Sequence, residues 1–241
     1  MTERSTKARL WECLIALVVV GIWIPLIVTL PMVLGGKLWR RVGWETDLPM
    51  LHLTQVALTS LFVVVFILIT GRKRLFIPER PCKPWVFLLF LPLMFVNVSR
   101  GPLVELTAVL LLVFLLDNFL VGFWEEFFFR GVIQDRLAVL GPRLSLMVTA
   151  VLFGLIHANE GLLPVLIAIG IGLAFSVARA PLGLWPLVVI HGTIDLMVDL
   201  FERRWPHQFT LGASLVAVYF VVALVVLLRR EGAPAAAPDE T

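Results

Sequence analysis

The sequence predicts an all-α fold: a polytopic membrane bundle of about eight transmembrane helices enclosing an intramembrane polar pocket. Three observations predict it. Of the 241 residues, 60% are hydrophobic and only 15% charged, where soluble globular chains run about 45–50% apolar and about 25% charged. Mean hydropathy is +0.98. The apolar residues are also gathered into runs approaching the ~20 needed to cross a hydrocarbon core, and a few ionisable residues lie inside those runs. Such a composition excludes a soluble domain, a disordered chain and a disulfide scaffold. The two cysteines, Cys13 and Cys82, fall in or beside different apolar segments, and read as buried inert thiols with no disulfide or CxxC arrangement.

Taken in order, the basic N-terminus MTERSTKAR leads into Leu14–Val33, a run broken only by Gly21, Thr29 and two prolines. It is longer than the apolar core of a secretory signal and no A-x-A site follows it, so it reads as a retained first span. The predicted spans are Leu10–Leu34, Leu51–Thr70, Trp85–Val98, Leu103–Val121, Leu144–His157, Leu162–Ala178, Pro181–Leu200 and Leu211–Leu228. The third and fifth are short, open to tilt, re-entry or extension. Brief linkers argue for one domain over residues 1–241. The Ala/Pro-rich end EGAPAAAPDET, residues 231–241, reads as a disordered tail.

The formal charge of +3 does not point to nucleic acid, because the basic residues form short clusters between apolar stretches, as the positive-inside bias produces. With the N-terminus in the cytoplasm, fourteen Lys/Arg fall in inside segments and six in outside loops (Lys37, Arg40, Arg41, Arg100, Arg203 and Arg204). The expectation is a multi-pass protein of the cell membrane with both termini cytoplasmic, its partners being the lipid bilayer and a membrane-associated substrate.

An ionisable residue at the centre of a span costs roughly 2.5–3.5 kcal/mol on insertion scales and marks function by default. Here these are Glu12, Glu105, Asp117, Glu125, Glu126, His157, His191, Asp195 and Asp199, with His52 and Arg130 at or beside apolar segments. Glu125 and Glu126 lie among Phe123, Trp124, Phe127, Phe128 and Phe129. On a helix Glu126 and Arg130 are i,i+4 and share a face. Glu125 is rotated by about 100°, which separates one neutralised carboxylate from one free to act as a base. The plain alternative is a helix end with both glutamates reaching water. His157 closes the run begun at Leu144, where an interfacial histidine is the plain alternative. His191 and Asp195, again i,i+4 and in mid-span, are harder to explain that way, since the carboxylate can hold the imidazole in one tautomer. Three spans thus each bring an acid, a base or both to a shared pocket. Asp117 reads as a helix end or as the pocket mouth. His52 and His207 neighbour no motif, and most tryptophans mark span ends.

In this order Glu125-Glu126-x-x-x-Arg130, Phe153-x-x-x-His157 and His191-x-x-x-Asp195 resemble the signature of the CPBP family. These are the CaaX-type prenyl endopeptidases and bacteriocin-processing or Abi-type proteins, regarded as glutamic intramembrane proteases. The resemblance covers about Asn118 to Leu200. It implies Glu125 as general base, His157 as its partner in activating water, Glu126 and Arg130 as an orienting ion pair, and His191 and Asp195 on the oxyanion side. It further implies a metal-independent endopeptidase without a cofactor. Asp195 departs from the eukaryotic prenyl-endopeptidase pattern, which has Asn there, and is similar to bacterial members. An ionised aspartate cannot donate to an oxyanion, so the expectation is that Asp195 orients His191 and His191 donates.

Three other readings stay open on the residues alone. Glu125, His157 and His191 could form a two-His-one-carboxylate zinc site, although no HExxH occurs. The buried acids and histidines could form a relay in a proton-coupled transporter, although no inverted repeat is visible. A non-catalytic membrane immunity protein is the third. Nothing in the chain shows whether its substrate is prenylated. A bacterial peptide or a C-terminal sorting segment suits it equally.

Overall fold

A hydrocarbon core offers no water to backbone N–H and C=O groups, so apolar runs of this length satisfy them internally as helices. The computed structural model describes residues 3–23, 48–78, 83–96, 107–201 and 206–229, and among them no strand occurs. Helix α1 (Glu3–Val18) passes into a π turn at Val19–Trp23, and α2 is Leu48–Ile69. Two short helices follow, α3 (Pro84–Leu88) and α4 (Leu91–Phe95). Helix α5 (Ala108–Glu125) runs on as a π-helical segment, Glu126–Ile133, and then as α6 (Gln134–Leu137). The remainder are α7 (Pro142–Leu155), α8 (Leu162–Leu182), α9 (Leu184–Leu200) and α10 (Pro206–Arg229).

Four stretches among the described residues are long and apolar enough to cross a membrane: Met50–Ile69, Ala108–Leu140, Leu162–Leu182 and Leu211–Arg229. Shorter apolar helices are Leu10–Ile22, Trp85–Phe95 and Pro142–Leu155. Val218, Val221, Val222 and Val225 of α10, with Leu162, Leu163 and Leu166 of α8, are exposed. Large apolar side chains exposed in this number are unusual for a soluble monomer and natural against acyl chains. The first predicted span beyond Trp23, the ends of the third and fourth, Glu105, Cys82 and the tail 231–241 lie outside the described residues.

Three boundaries differ from the sequence expectation. The fourth predicted span does not stop at Val121. The helix continues through both glutamates to Leu140, a 33-residue stretch, in whose middle Glu126 and Arg130 neutralise each other inside the protein. The third is split between α3 and α4, with Pro92 in the first turn of α4, where its missing N–H prevents a continuous helical ladder. The sixth runs through Pro181, so the seventh begins later, at Leu184. The corner is Gly183, at φ +76°, a left-handed conformation that glycine adopts without a Cβ clash.

Helix α5 packs between α2 and α9, and α8 between α7 and α10. The α5–α9 contact is the one that positions the site, and it is made backbone to backbone. A Cβ added at Gly122 would lie 2.8 Å from the Val188 carbonyl oxygen, and one at Gly192 would lie 2.9 Å from that of Asn118. Small residues permit such approaches between membrane helices. Gly122→Ala is therefore expected to cost about 1–3 kcal/mol as an overpacking change, read as a lower unfolding temperature in detergent. Gly21→Ala, where no atom of the described residues lies within 4 Å of the added Cβ, is the control and should leave that temperature unchanged.

Candidate active site

The site is assembled where α5 passes into its π-helical continuation. Phe127, Phe128 and Phe129 are wholly buried there and pack with Phe153, Val63 and Ile67 in one core cluster. π turns recur at functional positions, and this one carries Glu126 and Arg130, both 0% exposed. Arg130 Nη1 donates to Glu126 Oε1 at 3.0 Å, and Nη2 donates to the Gly172 carbonyl of α8 at 3.2 Å. The guanidinium carbon lies 4.2 Å from the centroid of the Phe153 ring and 5.5 Å from that of Phe175, favourable cation–π positions. The Arg130 carbonyl in turn accepts from Arg179 Nη1. The i,i+4 pair expected from the sequence thus exists, although the backbone through it is π-helical.

Glu126 Oε1 has a second partner, His191 Nδ1 of α9, at 2.7 Å. A carboxylate held by arginine is an acceptor only, so Nδ1 carries a proton. His191 Nε2 then lies 3.5 Å from Glu125 Oε2 and 3.4 Å from Asp195 Oδ2. Glu126 thus engages one ring nitrogen of His191 and Asp195 lies near the other.

Glu125 is 5% exposed, and its Oε2 has no hydrogen-bond partner among the described residues. It forms part of the wall of a cavity of about 530 Å³ between α2, α5 and α9. His157 lies just past the end of α7, where its Nδ1 is 2.9 Å from Glu160 Oε1. Nε2 is the nitrogen that Glu160 does not engage. The Phe153 ring links His157 to the rest, with centroids 5.5 Å from His157 and 6.0 Å from His191, and His157 is within electrostatic reach of Glu125 and Asp195. Five of the six singled-out residues, Glu125, Glu126, Arg130, His191 and Asp195, are joined by direct polar contacts, and His157 joins them through Phe153. Among the described residues, no three His, Cys, Asp or Glu side chains gather so as to hold a metal ion.

Sequence reasoning missed His52. Its Nδ1 lies 2.8 and 3.0 Å from the two carboxylate oxygens of Asp117, and both line the cavity with Glu125. The available signal was that each is ionisable in or at the edge of an apolar run, but nothing in the sequence pairs residues on α2 and α5. Asp117 itself belongs to the pocket wall, one of the two expected places.

With this geometry in view, residues 107–197 match the family model described as type II CAAX prenyl endopeptidase Rce1-like. The segment is Rce1-like. No match was found among curated proteins or among solved structures. The family agrees with the resemblance carried by the three motifs, and over these residues the chain is similar to type II CAAX prenyl endopeptidases. The Rce1-like segment opens at Thr107, whose side chain caps α5 by accepting from the Leu110 N–H at 3.1 Å, and closes within α9. It therefore contains Glu125, Glu126, Arg130, His157, His191 and Asp195, whereas His52 is brought to the cavity by α2, outside it.

Proposed function

We propose that this protein is an intramembrane endopeptidase that hydrolyses a peptide bond of a membrane-associated peptide or protein by glutamate- and histidine-activated water, without a metal. The observation that carries the reading is Glu125: a buried carboxylate with an unengaged oxygen, beside His191 Nε2 and at the wall of a cavity, in an Rce1-like segment. Glu125 takes a proton from a water that His157 also holds. The hydroxide adds to the scissile carbonyl, giving a tetrahedral intermediate, and the C–N bond breaks as Glu125 returns the proton to the leaving amine. His191 donates to the oxyanion. With Nδ1–H committed to Glu126, it does so from Nε2 as an imidazolium. One such donor typically contributes roughly 2.7–4 kcal/mol to transition-state stabilisation. Glu126 and Arg130 position the ring, and Asp195 stands by Nε2 where the oxyanion develops.

The test is cleavage of a membrane-peptide library by the purified protein in liposomes, with and without a strong zinc chelator. Cleavage that survives the chelator is expected. Chelator-sensitive cleavage would overturn the metal-independent mechanism in favour of a zinc site on Glu125, His157 and His191.

The orientation we propose has both termini in the cytoplasm. Asp117 and Arg136 lie on one continuous helix, roughly 28 Å apart at 1.5 Å per residue, which is about the thickness of the hydrocarbon core. Arg72, Lys73, Arg74, Arg136, Arg143 and Arg179 fall towards the Arg136 end, and His52, Asp117 and Asp199 at the other. By the positive-inside bias the basic end is cytoplasmic, so the cavity opens outward. Both exposed positions Ile77 and Leu162 allow a check in a chain whose Cys13 and Cys82 are replaced by serine. A membrane-impermeant thiol reagent added to intact cells should label Leu162→Cys at once, and Ile77→Cys only after permeabilisation. The reverse pattern would invert the orientation.

A further inference from the structure

Both histidines of the site have the same ring nitrogen engaged by a carboxylate. Glu126 Oε1 lies 2.7 Å from His191 Nδ1, and Glu160 Oε1 lies 2.9 Å from His157 Nδ1. The first contact is made across helices and the second within one turn. Past the end of α7 the chain forms a 3₁₀ turn, Ala158–Glu160, in which the Glu160 N–H donates to the His157 carbonyl at 3.0 Å. Residues i and i+3 eclipse in such a turn, so the Glu160 side chain stands over the imidazole. Gly161, at φ +111°, ends the turn and opens α8, which fixes Glu160 as the last residue of the turn.

The plain alternative is a surface partner for an interfacial histidine, since the His157 and Glu160 side chains are 25% and 54% exposed. Exposed ion pairs contribute little to stability. Stability is not what a carboxylate at Nδ1 decides, however. It decides which nitrogen carries the proton. Two observations tie this pair to the site. The Phe153 ring packs edge-on against both His157 and His191, and His157 is within electrostatic reach of Glu125 and Asp195.

We propose that Glu160 is a positioning residue that holds His157 with its proton on Nδ1, leaving Nε2 as an acceptor for the hydrolytic water. The identity of that water rests on the protease reading above; the tautomer does not. An ionised carboxylate only accepts, so a neutral His157 beside it donates from Nδ1 and offers a lone pair at Nε2. The water then meets two acceptors. Glu125 removes one hydrogen as a proton, the other stays on the hydroxide and points at Nε2, and an oxygen lone pair is left for the scissile carbonyl. The two histidines take opposite parts although both are held at Nδ1. His191 Nε2 lies near Glu125 and Asp195, two acceptors that call for a donor, whereas His157 Nε2 accepts.

Two measurements on the full-length protein test this. The first reads the tautomer and needs no cleavage. Side-chain nitrogen shifts of isotope-labelled histidine are recorded in nanodiscs, above the titration of the ring, with His157 assigned by its loss in His157→Ala. Wild type should show His157 protonated at Nδ1, and Glu160→Ala should lose that preference. A wild-type ring protonated at Nε2, or a preference that Glu160→Ala retains, overturns the assignment. The second is a kinetic cycle of wild type, Glu160→Ala, His157→Ala and the double variant on a cleaved library peptide. Glu160→Ala should lower kcat roughly 10–100-fold, the range seen for carboxylates behind metal-bound histidines, with KM and unfolding temperature unchanged. In the His157→Ala background the same change should have no further effect, because Glu160 acts only through that ring. An undiminished kcat, or an equal fall in both backgrounds, would reduce Glu160 to a surface residue. Glu160→Leu, which keeps bulk without an acceptor, repeats both measurements should Glu160→Ala fail to fold. A Glu160-dependent tautomer in a wild-type protein that cleaves nothing would overturn the protease reading and leave the Glu160–His157 assignment standing.

Discussion

Glu125→Gln is expected to lower kcat/KM by roughly 10²–10⁴-fold, the usual contribution of a general base, with the loss in kcat and little change in KM. The substitution isolates the chemistry because it preserves shape. Glutamine occupies the same volume in a site that is 5% exposed, and the oxygen it alters has no hydrogen-bond partner among the described residues to lose. The nearest cationisable contact is His191 Nε2 at 3.5 Å, beyond a close hydrogen bond. The amide cannot take a proton from water, whereas the carboxylate can. Initial rates on a cleaved library peptide, with unfolding temperature measured on the same samples, are the readout. Undiminished turnover by a folded Glu125→Gln protein would sink the mechanism.

The second large effect is on stability. Arg130→Met should cost about 3–5 kcal/mol, the range seen when one partner of a buried ion pair is removed and its charge is stranded. Glu126 and Arg130 are both fully buried, so no water can compensate. Arg130 also gives up its hydrogen bond to the Gly172 carbonyl of α8 and its place over Phe153. Combining Arg130→Met with Glu126→Gln removes the stranded charge, so the double variant should be more stable than Arg130→Met alone, not less. Denaturant or thermal unfolding of the four proteins in one detergent supplies the cycle. Simple additivity of the two changes would mean that the pair is not coupled. Glutamine at position 126 can still accept from His191 Nδ1, so the cycle separates stability from ring orientation.

Much of the architecture was legible without coordinates, for a reason particular to membranes. Where no water reaches the backbone, composition and run length leave helix as the available structure, so an all-helical chain with membrane-length apolar segments follows from the sequence itself. The pairing of Glu126 with Arg130 was legible for a different reason: both lie on one helix at a spacing that puts them on one face, and no tertiary contact is needed to bring them together. The ionisable residues of three spans could likewise be picked out, since a charge in an apolar run needs an explanation wherever that run packs.

Which helix faces meet could not be read. His191 has a carboxylate four residues away in its own helix, Asp195, yet its Nδ1 goes to Glu126, 65 positions earlier. His52 finds Asp117 across the same separation. The helix through Glu125 also continues past the predicted end at Val121, because Glu126 and Arg130 pair within it and find further partners in the Gly172 carbonyl of α8 and His191 of α9, contacts that hydropathy along one segment does not see. These outcomes turn on the register of α5 against α9, set by the backbone contact at Gly122 and Gly192. Sequence determined which residues carry charge into the membrane and which of them share a helix face. Tertiary structure alone decided their partners across helices, because that register depends on how closely two backbones can approach, and a close approach is a property of two surfaces together.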